Sequence, residues 1–257
     1  MVINETSERV KIGPNKYRVT TAVGPRFYHD GIWKTIDPVP VLNSGWYEMT
    51  KNKFQVRQNA ADASWEWTYR GKTVIGSFVG LGWLNISTKV RQIAAVPQTV
   101  TPVQTGNLLT WPGYFGAGLD LVWRYNGIGC KQEIVATQAG RASLGAPPWG
   151  AAGTAIVIVE RLVLPSGALR YLEGEWDGVN PFETDSVIRL EDDGGILARF
   201  SIDKAYNEAT PPAQVTLLKR LVLESGHIYL ASGQRVSTLT TALGSGTWRL
   251  DPSIEVE

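Results

Sequence analysis

Short runs rich in β-branched and aromatic residues recur along this chain, each cut off after a few positions by a tight turn and followed by another such run. That rhythm constrains the fold more than any other feature, because tight turns join antiparallel neighbours and no long stretch of helical spacing competes with them. The sharpest instance is Arg26-Phe27-Tyr28-His29, then Asp30-Gly31, then Ile32-Trp33-Lys34-Thr35-Ile36. Asp-Gly accepts the positive φ angles of a type I′ turn, whose twist matches that of paired strands. A second instance runs from Leu119 to Tyr125, turns at Asn126-Gly127 and returns from Ile128 to Val135. Leu119, Leu121, Trp123 and Tyr125 alternate there with Asp120, Val122 and Arg124, giving one apolar face and one mixed face. Further hairpins are expected from 161–164 to 168–172 through Pro165-Ser166-Gly167, from 187–190 to 196–200 through Asp192-Asp193-Gly194-Gly195, and from 221–223 to 227–230 through Ser225-Gly226. The fold class is therefore all-β: an antiparallel β-sandwich, extended or in two parts, with little or no helix.

Residues 96–106 are polar and carry two prolines, Pro97 and Pro102. They read as a connection between an N-terminal half, 1–95, holding the Asp30-Gly31 hairpin, and a C-terminal half, 96–257, holding the Asn126-Gly127 hairpin; the two halves can also act as one continuous sandwich. Residues 140–153, which include Pro147-Pro148-Trp149-Gly150, are long for a hairpin loop, and long loops more often make contacts than short ones. The segments Arg161-Leu162-Val163-Leu164 and Arg220-Leu221-Val222-Leu223 echo one another, each followed by a Ser-Gly pair one residue on. Similar amphipathic hairpins explain this more simply than an internal duplication does. Residues 247–252 read as an exit from the domain.

Composition narrows the function classes. With 25 Lys and Arg against 24 Asp and Glu, the net charge is +1, which argues against nucleic-acid binding driven by bulk electrostatics. The longest strongly apolar stretch, Ala155-Ile156-Val157-Ile158-Val159, is far short of the roughly 20 residues that span a bilayer, and the N-terminus has no signal-peptide core; no membrane role is expected. One cysteine, Cys130, excludes an internal disulfide, and two histidines, His29 and His227, leave little room for an imidazole–thiolate metal site.

Catalytic motifs are mostly missing. Arg70-Gly71-Lys72-Thr73 resembles the end of a phosphate-binding loop, but Glu66 stands where the first glycine belongs and the context is strand-like. Gly80-Leu81-Gly82-Trp83 is a partial dinucleotide fingerprint without its third glycine or following helix. No nucleophile elbow or zinc His pair occurs. Cys130 reads as a small buried residue in a strand, and both histidines as solvated turn neighbours. A carboxylate pair for glycoside hydrolysis is defined by its spacing in three dimensions, so the sequence neither shows nor excludes one. No cofactor is expected.

The 10 tryptophans carry more information. A sandwich core accounts for several. Trp65-Glu66-Trp67 places two indoles on one face of one strand, where they serve as core, protein interface or sugar platform. Trp149, beside Pro148, is the strongest candidate for an exposed contact. The possible partner or glycan contacts are thus Trp149, Pro148, Trp65 and Trp67.

Two stretches together resemble a β-rich domain found near the N-terminus of RHS and wall-associated-type bacterial surface proteins and in large phage structural proteins. The first runs from Pro25-Arg26-Phe27-Tyr28 through Trp33 and Ile36-Asp37-Pro38 to Gly45-Trp46-Tyr47-Glu48 and Phe54-Gln55-Val56. The second is Gly118-Leu119-Asp120-Leu121 to Lys131-Gln132-Glu133-Ile134-Val135. Here Cys130 takes a place that is usually aliphatic, and Gln132 one where an acid is common. The likeness covers roughly residues 17–135, and its motifs are hairpin signatures. It implies a fold and a structural or display role without a reaction. The expected function is a non-enzymatic structural protein of a phage virion, a decoration, collar or tail-associated subunit. Such a protein is made in the host cytoplasm and bound to other virion structural proteins as a homo-oligomer or ordered array. The alternatives are a module of a bacterial surface or filament protein, extracellular or at the cell surface, and a carbohydrate-binding module using exposed Trp; a glycan-active enzyme ranks last.

Overall fold

The structure is a computed structural model. It describes the backbone of residues 2–4, 7–13, 16–21, 26–29, 32–126, 129–171, 174–209 and 211–255, and side chains between 36 and 252 within these ranges. Two antiparallel sheets pack face to face. Along the first sheet the order is Phe182–Thr184, Leu218–Glu224, His227–Arg235, Thr154–Val163, Lys72–Asn85, Trp65–Tyr69, Gln55–Asn59, Trp46–Met49 and Val41–Asn43. The long Lys72–Asn85 strand shares its second edge between Trp65–Tyr69 and Arg91–Ala95. Along the second sheet the order is Val103–Thr105, Leu108–Trp111, Leu119–Tyr125, Gly129–Ala136, Ser253–Glu255, Gly195–Phe200, Ile188–Asp192, Ala168–Tyr171 and Gly174–Glu175. Trp248–Asp251 bridges Gly129–Ala136 to Lys204–Tyr206, which pairs in turn with Gln214–Thr216. Ahead of the sandwich, Val2–Asn4, Ser7–Gly13 and Lys16–Thr21 form a small sheet, and Arg26–His29 pairs with Ile32–Thr35.

Large aromatics fill the gap between the sheets. Trp65 and Trp67 from the first face Trp111 and Trp123 from the second, all at most 1% exposed. The Trp65 and Trp123 rings lie 6.1 Å apart, Phe54 stacks on Trp67 at 4.1 Å, and Trp67 Nε1 crosses the gap to donate to the Leu197 carbonyl at 3.2 Å. A Cβ at Gly76 would strike the Trp65 ring, so this cross-strand glycine is the surface on which the indole lies. As expected, Leu119, Leu121, Trp123 and Tyr125 are all inward and fully buried, while Arg124 is exposed.

Several sequence expectations need correction. The ladder of the second hairpin pairs Tyr125 with Cys130, and Asn126 N donates to the Gly129 carbonyl, so the returning strand is two residues further on than an Asn126-Gly127 turn predicts. An even shift keeps the same residues facing the core. The Asp30-Gly31 turn lies outside the described residues, although His29 and Ile32 pair on either side of it. The hairpin expected from 161–164 to 168–172 does not form. Thr154–Val163 is enclosed on both edges by Lys72–Asn85 and His227–Arg235, and the chain crosses at 164–167 to the second sheet, where Ala168–Tyr171 pairs with Ile188–Asp192. The echo with 220–226 therefore has no shared context, since Leu218–Glu224 does turn at Ser225-Gly226 into His227–Arg235. The long loop at 140–153 carries two short helices, α1 (Gln138–Ser143) and α2 (Gly150–Gly153). Thr137 caps α1, its Oγ1 accepting from Gly140 N at 3.0 Å. A third helix, α3 (Val236–Leu243), follows the His227–Arg235 strand and buries Leu239 and Leu243. Residues 247–252 do not leave the domain: Trp248–Asp251 lies against Gly129–Ala136 within the second sheet.

Residues 96–102 carry the chain from the first sheet to the second. Segments on both sides of residue 95 then share the first sheet and a single core that runs from Tyr47 to Leu250.

Candidate functional site

The tryptophans proposed as contacts are not gathered in one place. Trp65 and Trp67 are each 1% exposed and belong to the core, so neither reaches a partner or a glycan in the folded chain. Trp149 is half-buried and packs against that core, its backbone N–H donating to Thr154 Oγ1 at 3.2 Å; Pro148 beside it is exposed. Six of the nine tryptophans with described side chains are buried and the remaining three half-buried, because the space between two large sheets demands wide side chains.

Near α1 and α3 a cleft of about 270 Å³ has Trp83 and Trp248 in its wall, but these rings are only 5% and 4% exposed. Arg141 lies 3.9 Å over the Trp248 ring, and its guanidinium donates to the carbonyls of Ala136 and Ser245 at 2.7 and 2.8 Å. Burial holds this guanidinium below its ordinary value. The faces of these two rings are taken up by internal contacts, so neither is offered as a stacking platform.

The outward face of the first sheet is different. Ile156, Ile158, Glu160 and Leu162 point into the core, whereas Ala155, Val157 and Val159 point to the other face and form a second buried apolar cluster with Leu84 and Ala231, all at most 8% exposed, against which Ile93 and Tyr229 pack. A groove of about 270 Å³ runs over this cluster. Its floor is Leu84, Ala155, Val157 and Ala231, and half-exposed Leu218 forms part of the wall. Its rim is charged. Glu183 receives Lys89 at 2.7 Å and Arg220 at 3.0 Å, and exposed Arg235 adds a further positive charge. These four side chains sum to +2. The signal was present in the sequence: Ala155-Ile156-Val157-Ile158-Val159 does not alternate, and a continuous apolar run is the mark of a strand covered on both faces.

A buried polar seam crosses the core below the same strands. Glu160 accepts from Trp65 Nε1 at 3.0 Å and from the Gln132 side chain. Asp203 Oδ2 accepts from Ser232 Oγ at 2.7 Å, and Lys219 Nζ donates to the Ser201 carbonyl at 2.6 Å. Burial pushes the Glu160 carboxyl up to about 7, with the charge of Asp203 adding to the effect and the two hydrogen bonds opposing it. Burial likewise holds the Lys219 ammonium below its ordinary value, against the attraction of Asp203.

Of the remaining sequence candidates, Cys130 is buried without a disulfide, His227 is exposed beside its turn with Nδ1 3.0 Å from the Ser225 carbonyl, and the side chain of His29 lies outside the described residues. Arg70-Gly71 is the turn of a hairpin, both residues at positive φ, and Gly82 lies in a strand where Arg91–Ala95 passes too close for a Cβ. Among the described residues no group of three or more His, Cys, Asp or Glu is placed to hold a metal ion, and no helix is long and apolar enough to cross a membrane. Compared with known proteins, the chain matches no family model, no curated protein and no solved structure.

Proposed function

We propose that this chain is a non-enzymatic structural protein of a phage particle, a decoration, collar or tail-associated subunit, that holds a segment of a neighbouring virion protein in the outer groove of its first sheet. The observation that carries this reading is the outer groove, where a floor of Leu84, Ala155, Val157 and Ala231 meets the 38% exposed Leu218 in the wall and a charged rim. The outer face of a sandwich sheet is ordinarily polar, and a concave site with an apolar floor and a few charged groups at its edge is the usual form of a binding site. The surplus of positive charge at the rim favours a partner segment that combines apolar side chains with carboxylates. The hairpin resemblance to surface and phage structural proteins points the same way.

Leu218→Asp combined with Arg235→Glu tests the reading, because both residues are exposed and neither belongs to the core. Sedimentation with native particles is expected to show association weakened by about tenfold or more while the thermal midpoint stays unchanged. A double variant that joins particles as the wild type does, or a native protein recovered only as a lone monomer away from particles, would overturn it.

A further inference from the structure

Lys219 and Asp203 face one another across the interior of the sandwich. Lys219 lies on Leu218–Glu224 of the first sheet, in phase with buried Leu217 and Leu221, and Asp203 lies on the connection between Gly195–Phe200 and Lys204–Tyr206 of the second. Lys219 Nζ is 3.7 Å from Asp203 Oδ1, and the two side chains are 0% and 2% exposed. We infer that Lys219 and Asp203 condense into an intramolecular isopeptide bond that joins the two sheets covalently.

The surroundings supply what this condensation needs. An ion pair removed from water bears a large desolvation cost, and moving one proton from the ammonium to the carboxylate relieves it. The products of that transfer, an amine and a carboxylic acid, are the two forms that react. Ser232 Oγ, donating to Oδ2, holds the carboxyl in place and draws electron density from its carbon. The Ser201 carbonyl, accepting one N–H of Lys219, fixes the amine and leaves the nitrogen lone pair available. Glu160 is a further acid in the same seam, near enough to respond to the charge of Asp203, and its raised pKa keeps a proton there close to neutral pH. Fixed neighbours in a dry interior react as if at very high concentration, without competing hydrolysis. The balance is simple: Nζ attacks the Asp203 carboxyl carbon, a C–N bond forms, the C–O bond to the hydroxyl breaks, the amine proton joins the departing hydroxyl, and one water leaves. Nothing is oxidised or reduced. In a chain with one cysteine, such a bond gives the covalent reinforcement that a disulfide gives elsewhere.

Intact mass spectrometry of the folded wild-type chain tests the bond. The expected mass is one water below that of the sequence, with a branched peptide linking Lys219 to Asp203 and no tryptic cleavage after Lys219. K219M and D203A should have the full sequence mass, and D203N should lose ammonia in place of water. Folded wild-type protein at full mass would overturn the inference. So would a missing water traced to a succinimide at Asp30-Gly31, Asp177-Gly178 or Asp193-Gly194, which mild alkali hydrolyses and an isopeptide bond survives.

Discussion

At the scale of single residues, the most consequential positions are charged side chains that stand in phase with a core. Glu160 follows Ile156 and Ile158 on the inward face of its strand, and Lys219 occupies the inward position between Leu217 and Leu221. Sequence alone does not mark either as inward, because 155–159 is apolar in both phases and Leu218 and Val222 offer an alternative apolar face to Leu217 and Leu221. Nor does it reveal what stands opposite, since Asp203 and Gln132 come from the other sheet. The energetic consequence has a definite sign. A Glu carboxyl in the unfolded chain ionises near 4.5, and Glu160 in the folded chain near 7. Below pH 4.5 both states hold the proton, so Glu160 makes no pH-dependent contribution. Between 4.5 and 7 the unfolded chain releases the proton while the folded chain keeps it, so stability falls as pH rises, levelling off above 7 at a loss of about 3 kcal/mol. Burial is the largest cause and outweighs the opposing hydrogen bonds from Trp65 and Gln132, so the direction is the same whether Asp203 is a carboxylate or is bonded to Lys219. Urea unfolding at pH 4.5 and pH 8 should show wild type losing about 3 kcal/mol more than Glu160→Gln across that interval; equal losses would mean that the buried carboxyl is already ionised.

At the scale of elements, the hairpins that the sequence announces are those whose turn residues match the required backbone. Ser225 and Gly226 adopt φ of 50° and 77° between paired Glu224 and His227, the positive angles of a type I′ turn. Serine bears that conformation less readily than asparagine. Ser225→Asn is therefore expected to stabilise the protein by a few tenths to about 1 kcal/mol, read from the urea midpoint with an unchanged slope. Ser44-Gly45 and Arg70-Gly71 repeat the same positive-φ pair, and neither was singled out as a hairpin turn from sequence. The false hairpin at 161–172 failed for a non-local reason. A strand has two hydrogen-bonding edges, and those of Thr154–Val163 are taken by residues far away in the chain, so its sequence neighbour is displaced to the other sheet. The helices at 138–153 escaped notice because α1 and α2 are only 6 and 4 residues long, too short for a periodic pattern.

At the scale of the whole molecule, the two sheets are interwoven along the sequence. The Lys72–Asn85 strand from before the 96–102 crossover finds its long partner in Thr154–Val163 from after it, and one core spans both. Expressed separately, residues 1–95 and 96–257 are therefore expected to remain unfolded, each lacking the partner that would bury Trp65 or Trp123. Two-dimensional NMR of the isolated fragments measures this directly; dispersed spectra from either would show that the halves are independent domains. The class of fold was legible in the sequence because turn chemistry and alternation are local. The groove was only half legible: the unbroken apolar run at 155–159 showed a strand covered twice, but Leu84 and Ala231, which complete its floor, belong to segments that only tertiary pairing brings alongside.

The interleaving also bears on how the protein is made. Thr154–Val163 has one neighbouring strand in place early, but its other edge stays bare until His227–Arg235 has been synthesised. A nascent chain leaving the ribosome therefore carries an unpaired apolar strand edge while residues 164–235 are synthesised, and such long-range pairing is slow and prone to intermolecular association. Slower elongation or chaperone capture during that interval would raise the yield of soluble product, whereas crowding of nascent chains on one message would lower it.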